Sequence, residues 1–430
     1  MIESITIQNF LCYRERTELS LLASKKSTSN EMWYKEKDGK HILRLVLLLG
    51  PNSSGKSAAI NAIRELCLIA TRRFEKGESL PYRPFEFDET SRKTPTELSI
   101  TYYIGELRYR YTVKYMEYVL EEELRLLSGR TSLVYSRKCD GDGGVSVKYG
   151  TLFKVSTADK QQIRYNLHDG TTIMSVVGLL SVENSTLNEN FRFLSSIVNA
   201  TPKRIVSTSE LLDSGDKDYD MRKKEFVLKV MRQAGFPISD YSFSHIDDKT
   251  ISWDSEDDSE LGREMLLNEH VRGHRPYKYL WLYHGIDDKQ YPMDFESESD
   301  GMMETLQLLS HIFDIANRHE VAFCDNMGTH IHPALLTLLL RAYLQSSSDC
   351  QLIAATNDLS VLATDFLRRD SIRLVAKDDS GASSIENMEY VHSTVNFLNY
   401  YINKVCGNIS KLMDDEGFLS SVKDMLHGYA

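Results

Sequence analysis

At 430 residues with 41% apolar side chains, the chain has the content for one large globular domain or two ordinary ones and is not of disordered composition. Its 51 basic against 62 acidic residues leave a net charge of −11, which excludes a general polyanion binder; nucleic acid could be met only through local basic patches. Six scattered cysteines (Cys12, Cys67, Cys139, Cys324, Cys350, Cys406) form no C-x-x-C pair, which argues against a zinc knuckle or a disulfide scaffold and for a reducing compartment.

Residues 2–10, IESITIQNF, alternate apolar and polar and predict a half-buried strand. The N-terminal stretch also lacks an apolar signal core, and no apolar run nears the ~20 residues of a membrane span, so a soluble cytoplasmic protein is expected. ILRLVLLL, residues 42–49, predicts one central strand buried on both faces. A glycine-rich turn follows, then AAINAIRELCLIATRRF with apolar positions at helical spacing. Residues 97–151 predict a β-meander, because ELSITYYI, RYRYTVKYM and SLVYSRK are rich in β-branched and aromatic residues and are broken by polar turns.

Residues 172–199 read as helical. The most polar stretch is 208–262, where SGDKDYD and WDSEDDSE predict loops around a helix near EFVLKVMRQAG. From 291 helices and strands alternate: helix 301–317, strand 320–324, helix 333–345, strand 351–355, a helix near 359–367 and strand 371–376. There is no internal repeat or sustained heptad, so no long coiled-coil arm is predicted. The predicted class is α/β, one nucleotide-binding core carrying a large insertion.

Residues 50–57 read GPNSSGKS and satisfy G-x-x-x-x-G-K-S, between an apolar strand and a helix. Gly50 and Gly55 permit the backbone turns that aim successive N–H groups at phosphate oxygens, with Pro51, Asn52, Ser53 and Ser54 forming the loop between them. Lys56 supplies a cation for the β- and γ-phosphates, and the Ser57 hydroxyl a ligand for Mg2+. The helix N-terminus adds partial positive charge at the same point. ATP with magnesium is the implied cofactor. Such a site needs a second acid at the end of a nearby apolar strand, and Asp325 closes the run VAFC. A third element is DFESESDGMMETLQLL, residues 294–309. Ser299 and Asp300 suit the N-cap of a helix starting near Gly301, and the same helix start could seat an anion.

This order (P-loop, large insertion, Ser-Asp-Gly helix cap, apolar strand ending in Asp325, then the pair His332–Pro333) resembles the ABC-type, SMC/RecF/OLD-like ATPases of bacterial anti-phage defence. The likeness is to the AbiLi/RloA type, related to the PARIS ATPase AriA and the Septu ATPase PtuA. It extends to RPFEFDETSRKTPTELSITYYIGELRYRYTV, EEELRLLSGRTSLVYSRK, FPISDY and FLRRDSIRLVAKDDSG, and is poorest over 205–260. The resemblance implies an ABC-type P-loop core with a β-meander lobe and a helical insertion. Residues 1–200 would form the N-terminal half of the core, 201–285 the insertion and 286–430 the C-terminal half.

In that family two protomers sandwich ATP, so Gly50–Ser57 of one would face Ser299–Gly301 of the other in a homodimer or larger homo-oligomer. The family usually carries glutamate after the strand-end aspartate, histidine after the next strand and threonine after the Ser-Asp-Gly cap. Here the chain has Asn326, Asn357 and Met302. An amide can hold a water but cannot take its proton, so the resemblance implies ATP binding with weak or absent hydrolysis. His330, five residues after Asp325, is a candidate substitute base, while His332 is expected to brace the following helix.

Basic clusters at Lys25–Lys26, Arg72–Arg73–Lys76 and Arg222–Lys223–Lys224 read as solvated faces unless they converge. No nuclease constellation is evident in DSEDDSE (254–260), and no TOPRIM-type module fits after residue 376. Two functions follow. The first is an oligomeric, nucleotide-dependent sensor or scaffold controlling a separate effector, expected to be a nuclease, with DNA or a phage component as a further candidate partner and no membrane. The second is an active ATPase on DNA of the repair or SMC-like kind.

Overall fold

The computed structural model describes residues 1–24, 31–139, 144–151, 153–180, 182–200, 212, 214–245, 278–286, 289–318, 321–346, 349–359, 367–388 and 400–401. Two compact units emerge: unit 1 is Met1–Pro202, Asp314–Thr329 and Leu336–Ala430, and unit 2 is Lys203–Phe313 with His330–Leu335. The whole is mixed α/β with a large antiparallel sheet.

Unit 1 opens with β1 (Ile2–Gln8), β2 (Thr17–Ser20), β3 (Tyr34–Lys37), β4 (Lys40–Leu43), β5 (Leu45–Leu49) and helix α1 (Lys56–Thr71). The expected single strand over 42–49 is two strands, because Arg44 interrupts it. Its guanidinium is buried and donates to the carbonyls of Met32 (3.0 Å) and Leu344 (2.8 Å), which takes the chain out of one sheet and into another. All five residues of β5 are buried, as a central parallel strand requires.

The predicted meander follows as β6 (Thr96–Ile104), β7 (Leu107–Tyr115), β8 (Val119–Leu126), β9 (Ser132–Cys139) and β10 (Val145–Tyr149). It forms a seven-stranded antiparallel sheet in the order β10-β9-β8-β7-β6-β1-β2. The N-terminal strand therefore joins the meander, where Ile2, Ile5 and Ile7 are buried.

Helix α2 (Thr157–Asn166), which the sequence reading did not expect, comes next, followed by α3 (Ile173–Val177) and α4 (Ser185–Ala200) in the region read as helical. In the antiparallel sheet Glu122 is buried and accepts from Tyr111 Oη (3.1 Å), Tyr135 Oη (2.7 Å), Ile173 N (2.6 Å) and Met174 N (3.2 Å), tying sheet to helix.

Unit 2 contains α5 (Lys217–Gln233) and the three-stranded antiparallel sheet β11 (Ile238–His245), β12 (Lys278–Ile286) and β13 (Lys289–Asp294). Helix α6 (Asp300–Arg318) begins in this unit and ends in unit 1. The stretch SGDKDYD is half helix rather than loop. Asp216 caps α5 by accepting from Asp218 N and Tyr219 N, both at 3.1 Å, so its acidity marks a helix start. WDSEDDSE lies outside the described residues.

The last elements are β14 (Val321–Cys324), α7 (Pro333–Gln345), β15 (Gln351–Thr356), β16 (Ile372–Lys377) and β17 (Ser383–Asn387). All but β17 match the expected alternation; most of the helix expected near 359–367 lies outside the described residues. With β5 they make a five-stranded sheet, β14-β15-β5-β16-β17, parallel except for β17. One apolar core in unit 1 joins Ile5, Ile100 and Tyr111 of the antiparallel sheet, Ile63 and Leu66 of α1, Leu194 of α4, and Val46, Phe323 and Ile353 of the parallel sheet.

Candidate functional site

Parallel strands present their C-terminal ends to one edge of a sheet, where ligands of such sheets bind. In unit 1, β5, β15 and β14 deliver Gly50, Asn357 and Asp325 there, with β15 between the other two. Residues 50–57 form a tight loop between β5 and α1. A Cβ at Gly50 would run into the Val375 carbonyl oxygen, and one at Gly55 would lie 2.7 Å from Ser383 Oγ. Gly55 also has φ +115, and Ser53 takes a left-handed backbone at φ 63. Both glycines are therefore required by geometry.

Lys56 is buried at 6% exposure, and its ammonium donates to Gly50 O (2.7 Å) and Pro51 O (2.9 Å). Burial lowers its pKa, and the Asp325 carboxylate works against that shift. The cation thus sits among loop carbonyls within electrostatic reach of the strand-end acid. Ser57 and Asp325 are exposed, as are Asn52, Ser53, Asn326 and Asn357, while Ser54 is buried. The Asn357 amide donates to Asn52 Oδ1 at 2.8 Å, so the tip of β15 holds the 50–57 loop itself.

Asn326 has φ 58, a conformation asparagine accepts more readily than glutamate. Its turn is fixed by Met327 N donating to Ala355 O and Thr329 Oγ1 donating to Asn326 O, both at 2.8 Å.

A brace that sequence reading missed runs along the other side of the loop. Tyr13 Oη donates to Gly55 O (3.0 Å), Ser383 Oγ donates to Ser54 O (2.6 Å), and Ser383 N donates to Cys12 O (2.7 Å). The turn carrying Cys12 and Tyr13 is held by Asn9, at φ 51, whose side-chain amide donates to Ser91 O (2.8 Å) and whose Oδ1 accepts from Phe85 N (3.0 Å). The available signal was Asn9 itself, a residue tolerant of left-handed backbone at a strand end.

Ser299, Asp300, Gly301 and His330 belong to unit 2. Ser299 precedes α6 and accepts from Met302 N through its carbonyl (3.0 Å) and more weakly through Oγ (3.4 Å). Asp300 lies inside the first turn, and a Cβ at Gly301 would come within 2.8 Å of His330 O. The His330 ring faces the carboxylates of Glu304 (3.3 Å) and Asp300 (4.0 Å), and its backbone N–H donates to Glu304 at 2.8 Å. His284 and Glu298 form a buried pair at 2.5 Å just before the cap. His332 accepts from Ala334 N (3.3 Å), the brace expected of it.

Within the basic clusters Arg72 pairs with Glu78, Lys223 is buried beside Tyr219, and Lys224 pairs with Asp240. Lys25 and Lys26 lie outside the described residues. No group of three or more His, Cys, Asp or Glu among the described residues could hold a metal alone. A magnesium ion here would take Ser57 and Asp325 with phosphate oxygens, the usual manner of nucleotide-bound Mg2+. No helix among the described residues is long and apolar enough to cross a membrane.

No family model matches the chain, and no curated protein matches it. Among solved structures it is similar to the SMC head domain from Thermotoga maritima, at 10% identity over 90% of this chain and 98% of that one, TM-score 0.39. A SmcHead bound to the C-winged helix domain of ScpA gives 12% identity over 90% and 96%, TM-score 0.40. An Smc head domain with an extended coiled coil, bound to the C-terminal domain of ScpA derived from Pyrococcus furiosus, gives 12% over 90% and 95%, TM-score 0.38. Values this low identify neither a family nor an activity.

Proposed function

We propose that the chain is an ATP-binding, ABC-type P-loop subunit that binds nucleotide more readily than it cleaves it. The observation that carries this reading is the convergence of residues 50–57, Asp325 and Asn357 at one sheet edge, with Lys56 electrostatically coupled to Asp325. The glycines, the buried cation and the exposed Ser57 and Asp325 fit a triphosphate and its magnesium. Bound there, ATP–Mg would supply a charged group that orders the loop; Lys56 would move its donors from loop carbonyls to phosphate oxygens. Asn326 and Asn357 can orient a water but cannot accept its proton, so general-base assistance, typically worth about 10²–10⁴-fold, is missing from both positions.

On this reading residues 1–200 and 286–430 are two halves of one core and 201–285 an insertion. Ser299–Gly301 completes the phosphate shell of a second copy, and the resulting oligomer restrains or delivers a separate effector of the anti-phage kind, a nuclease. Light scattering with and without ATP–Mg tests the assembly. Wild type should gain mass on ATP, while Ser299→Arg should bind nucleotide without assembling. Equal masses for the two proteins would reject the trans site. An active ATPase on DNA remains the second reading, and rapid multiple turnover would favour it over the first.

A further inference from the structure

Among the described residues, the backbone N–H groups of Gly55, Lys56, Ser57 and Ala58 donate to no protein group; the first that does is Ala59, to Gly55 O at 3.0 Å. Every helix start leaves such donors. Those of Lys56, Ser57 and Ala58 are aimed by α1 itself, whereas Gly55 stands before the helix at φ +115 and must be aimed from outside. Its direction is set by the Ser54–Gly55 peptide, which is planar and trans, so the N–H points opposite to the Ser54 carbonyl. Glycine, having no Cβ, resists rotation of that plane least. The freedom that lets Gly55 fit the loop is therefore also a way for the loop to lose its aim.

One side chain opposes that rotation. Ser383, at the start of β17 and buried, donates from Oγ to Ser54 O at 2.6 Å, which turns the Gly55 N–H away from β17. Ser383 is itself held in place. Its N–H donates to Cys12 O (2.7 Å), and Asp378 closes the turn before it by accepting from Ser380 N and Ala382 N, both at 2.9 Å. The next carbonyl, that of Gly55, accepts from Tyr13 Oη at 3.0 Å as well as from Ala59 N. Tyr13 thus reinforces a direction that α1 already imposes, while Ser383 alone fixes its own.

We infer that Ser383, seconded by Tyr13, is a positioning residue for phosphate binding: it holds the Gly55 N–H on the phosphate side of the loop before ligand arrives. The inference rests on the nucleotide reading and adds to it a residue more than 300 positions from the loop in sequence. A donor aimed in advance spares the ligand the cost of ordering it, so the effect belongs in affinity.

Isothermal titration of the full chain with inorganic pyrophosphate and magnesium reads the loop without any contribution from a base or sugar. Ser383→Ala should weaken binding about tenfold or more, and Tyr13→Phe only about threefold, since α1 still holds the Gly55 carbonyl. Ser383→Thr, which keeps the hydroxyl, should bind nearly as wild type does. So should Ser384→Ala, which removes an exposed hydroxyl one residue on. A Ser383→Ala protein that binds pyrophosphate as tightly as wild type overturns the inference and leaves the nucleotide reading standing. So does a Ser383→Thr protein as weak as Ser383→Ala, because the hydroxyl would then not be the active group. A wild type that takes up neither pyrophosphate nor ATP removes the nucleotide reading and this inference together.

Discussion

Two polar constellations in unit 1 differ in one respect that separates structure from function. Around Glu122 the carboxylate is buried and accepts from two tyrosine hydroxyls and two backbone N–H groups at the start of α3. At the ends of β5, β14 and β15 the polar groups are exposed, and the one buried cation, Lys56, is satisfied only by carbonyls of its own loop. The first set has closed on itself and can do nothing but hold the sheet to the helix. The second has spare valence pointed at solvent. Satisfaction, rather than polarity, distinguishes a brace from a binding site.

The largest effect should come from breaking the closed set. Glu122→Ala strips partners from Tyr111, Tyr135 and the α3 N-terminus and leaves Arg137 buried without its nearby acid, a change that typically costs about 3–5 kcal/mol. Urea unfolding should show a large fall in midpoint; a midpoint within error of wild type would refute the brace. The open set should behave in the opposite way. Lys56→Ala should barely alter stability without ligand, yet abolish the stabilisation by ATP–Mg, which at 100 times Kd amounts to about 2.7 kcal/mol. A thermal shift that persists in this variant would remove the phosphate-loop assignment.

Acidity sharpens the contrast. Burial raises the Glu122 pKa despite the hydrogen bonds that favour its carboxylate. A group whose folded pKa lies above its unfolded value contributes stability in full below the unfolded pKa, near 4.5, and that contribution is lost as pH rises through the folded pKa. Glu122→Gln should therefore flatten the stability profile above about pH 4.5. A profile that keeps the wild-type slope would mean Glu122 is not the titrating group.

A modest stability effect should come from an exposed turn of the open site. Asn326→Glu places a glutamate at φ 58 and should cost about 1 kcal/mol by calorimetry. Hydrolysis should rise further when Asn357→His is added, and a double variant as inert as either single change would show the loss lies elsewhere.

Much of this site was legible in the sequence because its signals are local. Gly50, Gly55, Lys56 and Ser57 occur within eight residues, and Asp325 follows its strand directly. What was hidden depends on contacts between distant segments. The grip of Tyr13 and Ser383 on the loop joins positions 42 and 329 residues from their partners. The split at Arg44 likewise rests on Leu344, 300 residues away, so no local pattern announced it. The same holds for Asn357, whose hold on Asn52 spans 305 residues, and for Asn326, whose left-handed backbone no periodicity predicts. In unit 2 an acidic run hid a cap, since Asp216 reads equally well as loop or helix start until the backbone N–H groups that donate to it are seen.

The most direct test of nucleotide binding without efficient cleavage is to incubate the purified chain with ATP and magnesium, remove free nucleotide and identify what stays bound. The account predicts intact ATP on wild type, released as ADP and phosphate at well under ~1 per minute, for want of a general base at Asn326 and Asn357. Sustained turnover near or above ~1 per second, collapsing in His330→Ala, would contradict it and make His330 the base.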